Sequence, residues 1–127
     1  MSRPHPAVAG RWAEARVLRL LRSRGWRLLS RNWRCRWGEL DLVVAKPGRL
    51  LVVEVKGRAT AGRDGHGLAC IQRGQRQRLH RACRCWLAEH EDHGLAAVEL
   101  TAALVPLAPS RQPVRWIPLI DWSASCD

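Results

Sequence analysis

Gly38–Arg58, GELDLVVAKPGRLLVVEVKGR, places three of the chain's 11 acids among its most strand-like residues. Two apolar runs of period two flank Lys-Pro-Gly-Arg, a strand–turn–strand signature. The expected strands are Glu39–Ala45 and Leu50–Lys56, with Lys46–Arg49 as the turn. Ala45 then pairs with Leu50, Val43 faces Val52, Asp41 faces Glu54, and Glu39 faces Lys56. Side chains alternate along a strand, so Leu40, Leu42 and Val44 share an apolar face with Leu51, Val53 and Val55. The other face carries Asp41 directly opposite Glu54. Like charges opposed across a sheet are destabilising, and one carboxyl of such a pair is pushed toward protonation unless a cation intervenes. Mg²⁺ is a hard cation that one or two protein carboxylates often hold, and it resolves the conflict. Lys56 adds to the pattern, because only Lys46 and Lys56 among the 22 basic residues are lysines. A compact ammonium in place of a guanidinium fork suits a reacting centre.

Beyond the hairpin, the chain is strongly basic. Its 127 residues carry a formal net charge of +11 with 46% hydrophobic residues, enough for one domain with its own core. An ordered core is expected over about residues 7–122 of a single 1–127 domain. Excess Arg points to a polyanion, with nucleic acid ahead of an anionic membrane surface. The five cysteines form no CxxC pair. The N-terminal MSRPHPAVAG lacks the apolar segment of a leader, and no run reaches the ~18 residues that cross a bilayer. A soluble cytoplasmic protein with reduced thiols is expected.

Ala7–Arg24 reads as a helix stopped by Gly25. Its buried stripe includes Glu14, Val17, Leu18 and Leu21, which places an acid in line with apolar neighbours. WRLLSRNWRCRW (Trp26–Trp37) is a strand or irregular connector, and GRATAGRDGHG (Gly57–Gly67) a basic Gly-rich loop. Leu68 to about His90 is the second helix, with Gln75, Leu79, Ala82 and Trp86 on one face. Val98–Val105 and Val114–Leu119 are further strands. The sum is a mixed α/β domain with a central sheet.

Asp41 followed by Glu54-Val55-Lys56 on the next strand resembles the PD-(D/E)xK nuclease motif, and Glu14 resembles the helix acid of Holliday-junction-resolvase-like members. The longer strings GRWAEARVLRLLRSRGWRLLSRNWRCRWGELDLVV and LLVVEVKGR resemble the YraN-like family of bacterial proteins, over about Gly10–Trp122. The resemblance implies a restriction-endonuclease-like three-layer α/β fold, with a mixed central sheet flanked by helices. It also implies metal-dependent phosphodiester hydrolysis of DNA, with branched or junction DNA as the preferred form and RNA left open. Asp41 and Glu54 would ligate Mg²⁺ or Mn²⁺. Lys56 would orient water and stabilise developing charge, and Glu14 would serve a bound water or second ion. Glu39 would tune Lys56 from the outer shell, while Arg58, Arg63, Arg73 and Gln75 would grip phosphates. Analogy with junction resolvases makes a homodimer the oligomer to test for. The chain departs from the family pattern at Gln75, where a lysine is usual, and at Glu99, where an Asp opens the third strand.

Two other readings compete. One is a nucleic-acid-binding module without turnover on the same fold. The other is a basic, Trp-rich scaffold that docks a protein. Trp12, Trp33 and Trp37 are the tryptophans suited to stacking on unpaired bases.

Overall fold

The computed structural model describes residues 6–58, 73–107 and 111–121. Helix α1 (Pro6–Ser23) ends at the expected glycine. Gly25 takes φ +91°, and the Gly25 and Trp26 N–H groups donate to the Arg22 and Leu21 carbonyls at 3.1 Å. That paired closure satisfies the last turn and favours a residue without Cβ. Ala13, Val17, Leu18 and Leu21 form its buried stripe.

Strands β1 (Arg27–Cys35), β2 (Gly38–Lys46) and β3 (Arg49–Arg58) follow. The Trp26–Trp37 segment, open between strand and connector in the sequence, is therefore mainly strand. The β2–β3 pairing runs through Lys46↔Arg49, Ala45↔Leu50, Val44↔Leu51, Val43↔Val52 and Leu42↔Val53, so the expected hairpin register holds from the turn as far as Leu42↔Val53 and is not continued to Glu39 and Lys56. Helix α2 spans Arg73–Glu89; its expected start at Leu68 lies outside the described residues. Strands β4 (Ala97–Pro106) and β5 (Arg115–Asp121) follow among the described residues. The Gly-rich segment before α2, with Arg63, lies outside the described residues, as do the side chains of Arg58 and Arg73.

The five strands lie in the order β1-β2-β3-β4-β5. The first three form an antiparallel meander, β3 and β4 are parallel, and β4 and β5 antiparallel. A parallel neighbour needs a crossover connection, and α2 lies in it. Two apolar layers result. On one face α1 packs Val17, Leu18 and Leu21 against Leu42, Val44, Leu51, Val53, Ala103 and Val105. On the other, α2 packs Leu79, Ala82, Cys83 and Trp86 against Leu40, Val43, Ala45, Leu50, Val52 and Leu100. Trp86 is buried, and its indole N–H donates to Ser30 Oγ at 2.9 Å. Burial pushes the Cys83 thiol up to about 12, which leaves it an unreactive core group. Among the described residues no helix is long and apolar enough to cross a membrane.

The layering corrects one expectation. Leu40 does not share a face with Leu42 and Val44; it joins Val43 and Ala45 under α2. Strict alternation would separate Leu40 from Val43, so the strand changes phase between them, at Asp41 and Leu42. Its neighbour does the same, for Trp33 packs on the α2 side while Arg31 pairs with Glu14 of α1. Between them Asn32 adopts φ +52°, a left-handed conformation that Asn tolerates better than most residues. The kink across Asn32 and Asp41 locates the site.

Candidate active site

Past Leu42↔Val53 the β2–β3 ladder gives way to side-chain bonding. Asp41 Oδ2 accepts the Val55 N–H at 2.8 Å, taking the place of a strand carbonyl and fixing the carboxyl against β3. Burial is the main cause that raises the Asp41 carboxyl to about 7, and the Glu54 charge is the next. Glu39 adds to the rise and a hydrogen bond shared with Glu54 contributes, while the Val55 N–H opposes it. The expected conflict of opposed acids is therefore present.

Glu54 is anchored from two directions. Lys56 Nζ lies 3.1 Å from Glu54 Oε1, and Gln75 Nε2 of α2 donates to the same oxygen at 3.3 Å. Glu54 is nearly enclosed, at 11% side-chain exposure, whereas Lys56 at 31% reaches solvent. A cavity of about 260 Å³ opens here, lined by Trp37, Gly38, Glu39, Asp41, Glu54, Gln75, Arg78 and Leu79. A larger cleft of about 840 Å³ lies between the end of α1 and strands β4 and β5. Its acid, Glu99, is exposed and paired with Arg49 at 3.2 Å, so no strained carboxylate gathers there.

Glu14 belongs to α1, on the opposite layer from Gln75, yet its carboxyl is raised by burial and then by the charge of Asp41. Hydrogen bonds from Asn32 and Arg31 act in the other direction, with Arg31 Nε 3.5 Å from Glu14 Oε1. Asp41 is thus the central acid: the Glu54 charge raises it, and its own charge raises Glu14. Among the described residues, no three His, Cys, Asp or Glu side chains close into a ready-made metal cage. The acids form an electrostatically linked series instead.

The structure brings Glu14, Asp41, Glu54, Lys56 and Gln75 into one neighbourhood. Gln75 is placed to orient Glu54. Glu39 lines the cavity, but the expected register against Lys56 is not formed. Glu39 pairs with Arg34 across β1–β2, with Arg34 Nε 3.2 Å from its carboxylate, while Lys56 is opposite Leu104 of β4. The reason is the parting of β2 from β3 beyond Leu42, which leaves Glu39 in register with β1 alone. Two contributors escaped the sequence reading. Asn32 supports Glu14, and its signal was an Asn inside an otherwise strand-like run. Arg78 lines the cavity one turn after Gln75, a spacing that shares a helix face.

A three-layer α/β sheet whose central hairpin presents Asp41 and Glu54-Val55-Lys56, with a helix acid behind, is a restriction-endonuclease-like domain. The family model described as "Uncharacterised protein family UPF0102" matches residues 13–105, a span that holds Glu14, Asp41, Glu54 and Lys56. Similar proteins include a UPF0102 protein of Prochlorococcus marinus strain MIT 9303, 54% identical over 112 residues, covering 88% of this chain and 89% of that one. A UPF0102 protein of Synechococcus sp. strain CC9902 is 48% identical over 110 residues, covering 87% and 91%. One from Clavibacter michiganensis is 38% identical over 109 residues, covering 84% and 92%. The chain belongs to the UPF0102 family, the YraN-like family that its strings resemble.

Proposed function

We propose that the protein is a metal-dependent endonuclease that hydrolyses DNA phosphodiester bonds, with branched or junction DNA as its preferred substrate. The observation that carries this reading is the Asp41–Glu54 pair, in which burial first and the neighbouring Glu54 charge next raise Asp41 to about 7, with a hydrogen bond shared between the two acids. A pair of acids held together at a cost to folding suits a site whose working partner is a cation.

Mg²⁺ or Mn²⁺ fits this donor set. Carboxylate oxygens are the hard ligands such ions prefer, and Mg²⁺ commonly uses only one or two of them. Asp41 and Glu54 would hold it, and Glu14 would lend a further negative charge beside Asp41. Bound there, the ion supplies Lewis-acid polarisation of phosphate oxygens. The protein's own groups define the rest. The Val55 N–H and Gln75 hold the two carboxylates in orientation. The Lys56 ammonium sits at the solvent side of Glu54, where it positions an attacking water and offsets charge that develops on the phosphoryl oxygens. The reaction adds water across the P–O bond, leaving a phosphate on one product end and a hydroxyl on the other. Free thiols at Cys35, Cys83 and Cys85 suit a reducing compartment, so the cytoplasm is the proposed place of action.

The test is incubation of purified protein with four-way junction, flap and linear DNA in Mg²⁺ or Mn²⁺. Junction cleavage is expected for the wild type. Loss by about a hundredfold or more is expected for Lys56→Ala, the scale seen when one transition-state contact is removed. Cleavage that persists in Asp41→Asn would trace the activity to a contaminant. Salt-sensitive binding with no cleavage in any metal would favour the binding-module reading instead.

A further inference from the structure

Beside the acid pair lies a group of cations that no motif singles out. Arg36 and Trp37 make the turn between β1 and β2, closed by the Cys35↔Gly38 pair. The Arg36 guanidinium lies 4.7 Å from the Trp37 ring centroid, and that of Arg81, from α2, lies 4.8 Å from it. Trp37 is half-buried, its backbone N–H donates to Cys35 Sγ at 3.4 Å, and with Arg78 it lines the Asp41–Glu54 cavity. Arg36, Arg78 and Arg81 are all exposed.

These arginines differ from others nearby. Arg31, Arg34 and Arg49 each have a carboxylate partner within 3.5 Å. Among the described residues, none of Arg36, Arg78 and Arg81 forms a salt bridge. Arg36 and Arg81 are positioned by an indole face instead. Stacking uses the flat face of a guanidinium and leaves its edge donors to bind an oxyanion in a fork. An exposed cation held in this way loses less entropy on gripping a phosphate than a freely rotating one.

We propose that Arg36, Arg78 and Arg81, organised around Trp37, bind backbone phosphates of a nucleic acid adjacent to the bond at the acid pair. The inference rests on the nuclease reading for the identity of that bond, but phosphate binding is measurable without turnover. The contacts are to phosphate, so they act on any sequence and show themselves through salt.

The experiment measures binding of a fluorescein-labelled four-way DNA junction by anisotropy, in EDTA, over a series of salt concentrations. Four proteins are compared: wild type, Arg36→Ala/Arg81→Ala, Trp37→Ala, and Arg19→Ala/Arg22→Ala. The last pair removes the same charge from exposed positions of α1. Each lost phosphate contact on duplex lowers the slope of log K against log salt by about 0.9. A drop of about two is expected for Arg36→Ala/Arg81→Ala and less than one for the α1 control. Trp37→Ala should lose part of the same slope with both arginines still present. Equal slopes for the two double variants, or no binding by wild type, would overturn the proposal. If the slope falls as expected while no protein cleaves in any metal, the phosphate grip stands and the nuclease reading falls.

Discussion

Replacing Asp41 by Asn removes one charge from the acid pair while keeping an oxygen to accept the Val55 N–H. The native fold lifts the Asp41 carboxyl from an ordinary 3.8 to about 7. At ~1.4 kcal/mol per pH unit, full ionisation in the native state costs about 4 kcal/mol, and water reaching one side of the group reduces that to roughly 2 kcal/mol. The sign follows from where the proton sits. Below about pH 4 both the folded and the unfolded forms keep the Asp41 proton, so its stabilising contribution is complete. As pH rises toward 7 the unfolded chain ionises first, and stability is lost until the folded form ionises too. Above about pH 7 the loss is constant. Urea denaturation of both proteins at pH 5, 6, 7 and 8 checks this. The advantage of Asp41→Asn over wild type should grow from pH 5 to about pH 7, reach roughly 2 kcal/mol, and stay level to pH 8. Parallel stability profiles from pH 5 to 8 would refute the electrostatic account of the pair.

Asn32→Ala should cost about 1 kcal/mol for its left-handed backbone, and Asn32→Gly should avoid that cost. Both lose the side-chain bond to Glu14, so both should cleave junction DNA about tenfold more slowly while only the Ala variant melts early. Trp86 is 1% exposed, so Trp86→Ala should lose about 3–5 kcal/mol in urea melts. Trp86→Phe should lose about 1–3 kcal/mol, because Ser30 is left without its indole donor.

The hairpin register was legible because period-two alternation and a Pro-Gly turn leave little choice of pairing. That register alone brought Asp41 toward Glu54. The α1 stripe with Glu14 followed from 3.6-residue periodicity and a glycine stop. The phase change at Asp41 was not legible, since Leu40 suits either apolar layer and its sequence gives no sign of which. Once β2 leaves β3 there, Glu39 belongs to β1, and a pairing drawn by extending the ladder fails. Asn32 was hidden for a related reason: its φ depends on both strands bending together. The arginines around Trp37 come from a turn and from α2, and only the crossover that packs α2 over the sheet brings them together.

Whether the Asp41–Glu54 pair exists to hold a divalent cation is tested most directly by crystals soaked in Mn²⁺ and measured at the manganese absorption edge. An anomalous peak bonded to carboxylate oxygens of both Asp41 and Glu54, and missing in Asp41→Asn crystals, is the expected result. A fully soaked wild-type crystal in which the two carboxyls still share their hydrogen bond, with no anomalous peak between them, would contradict it.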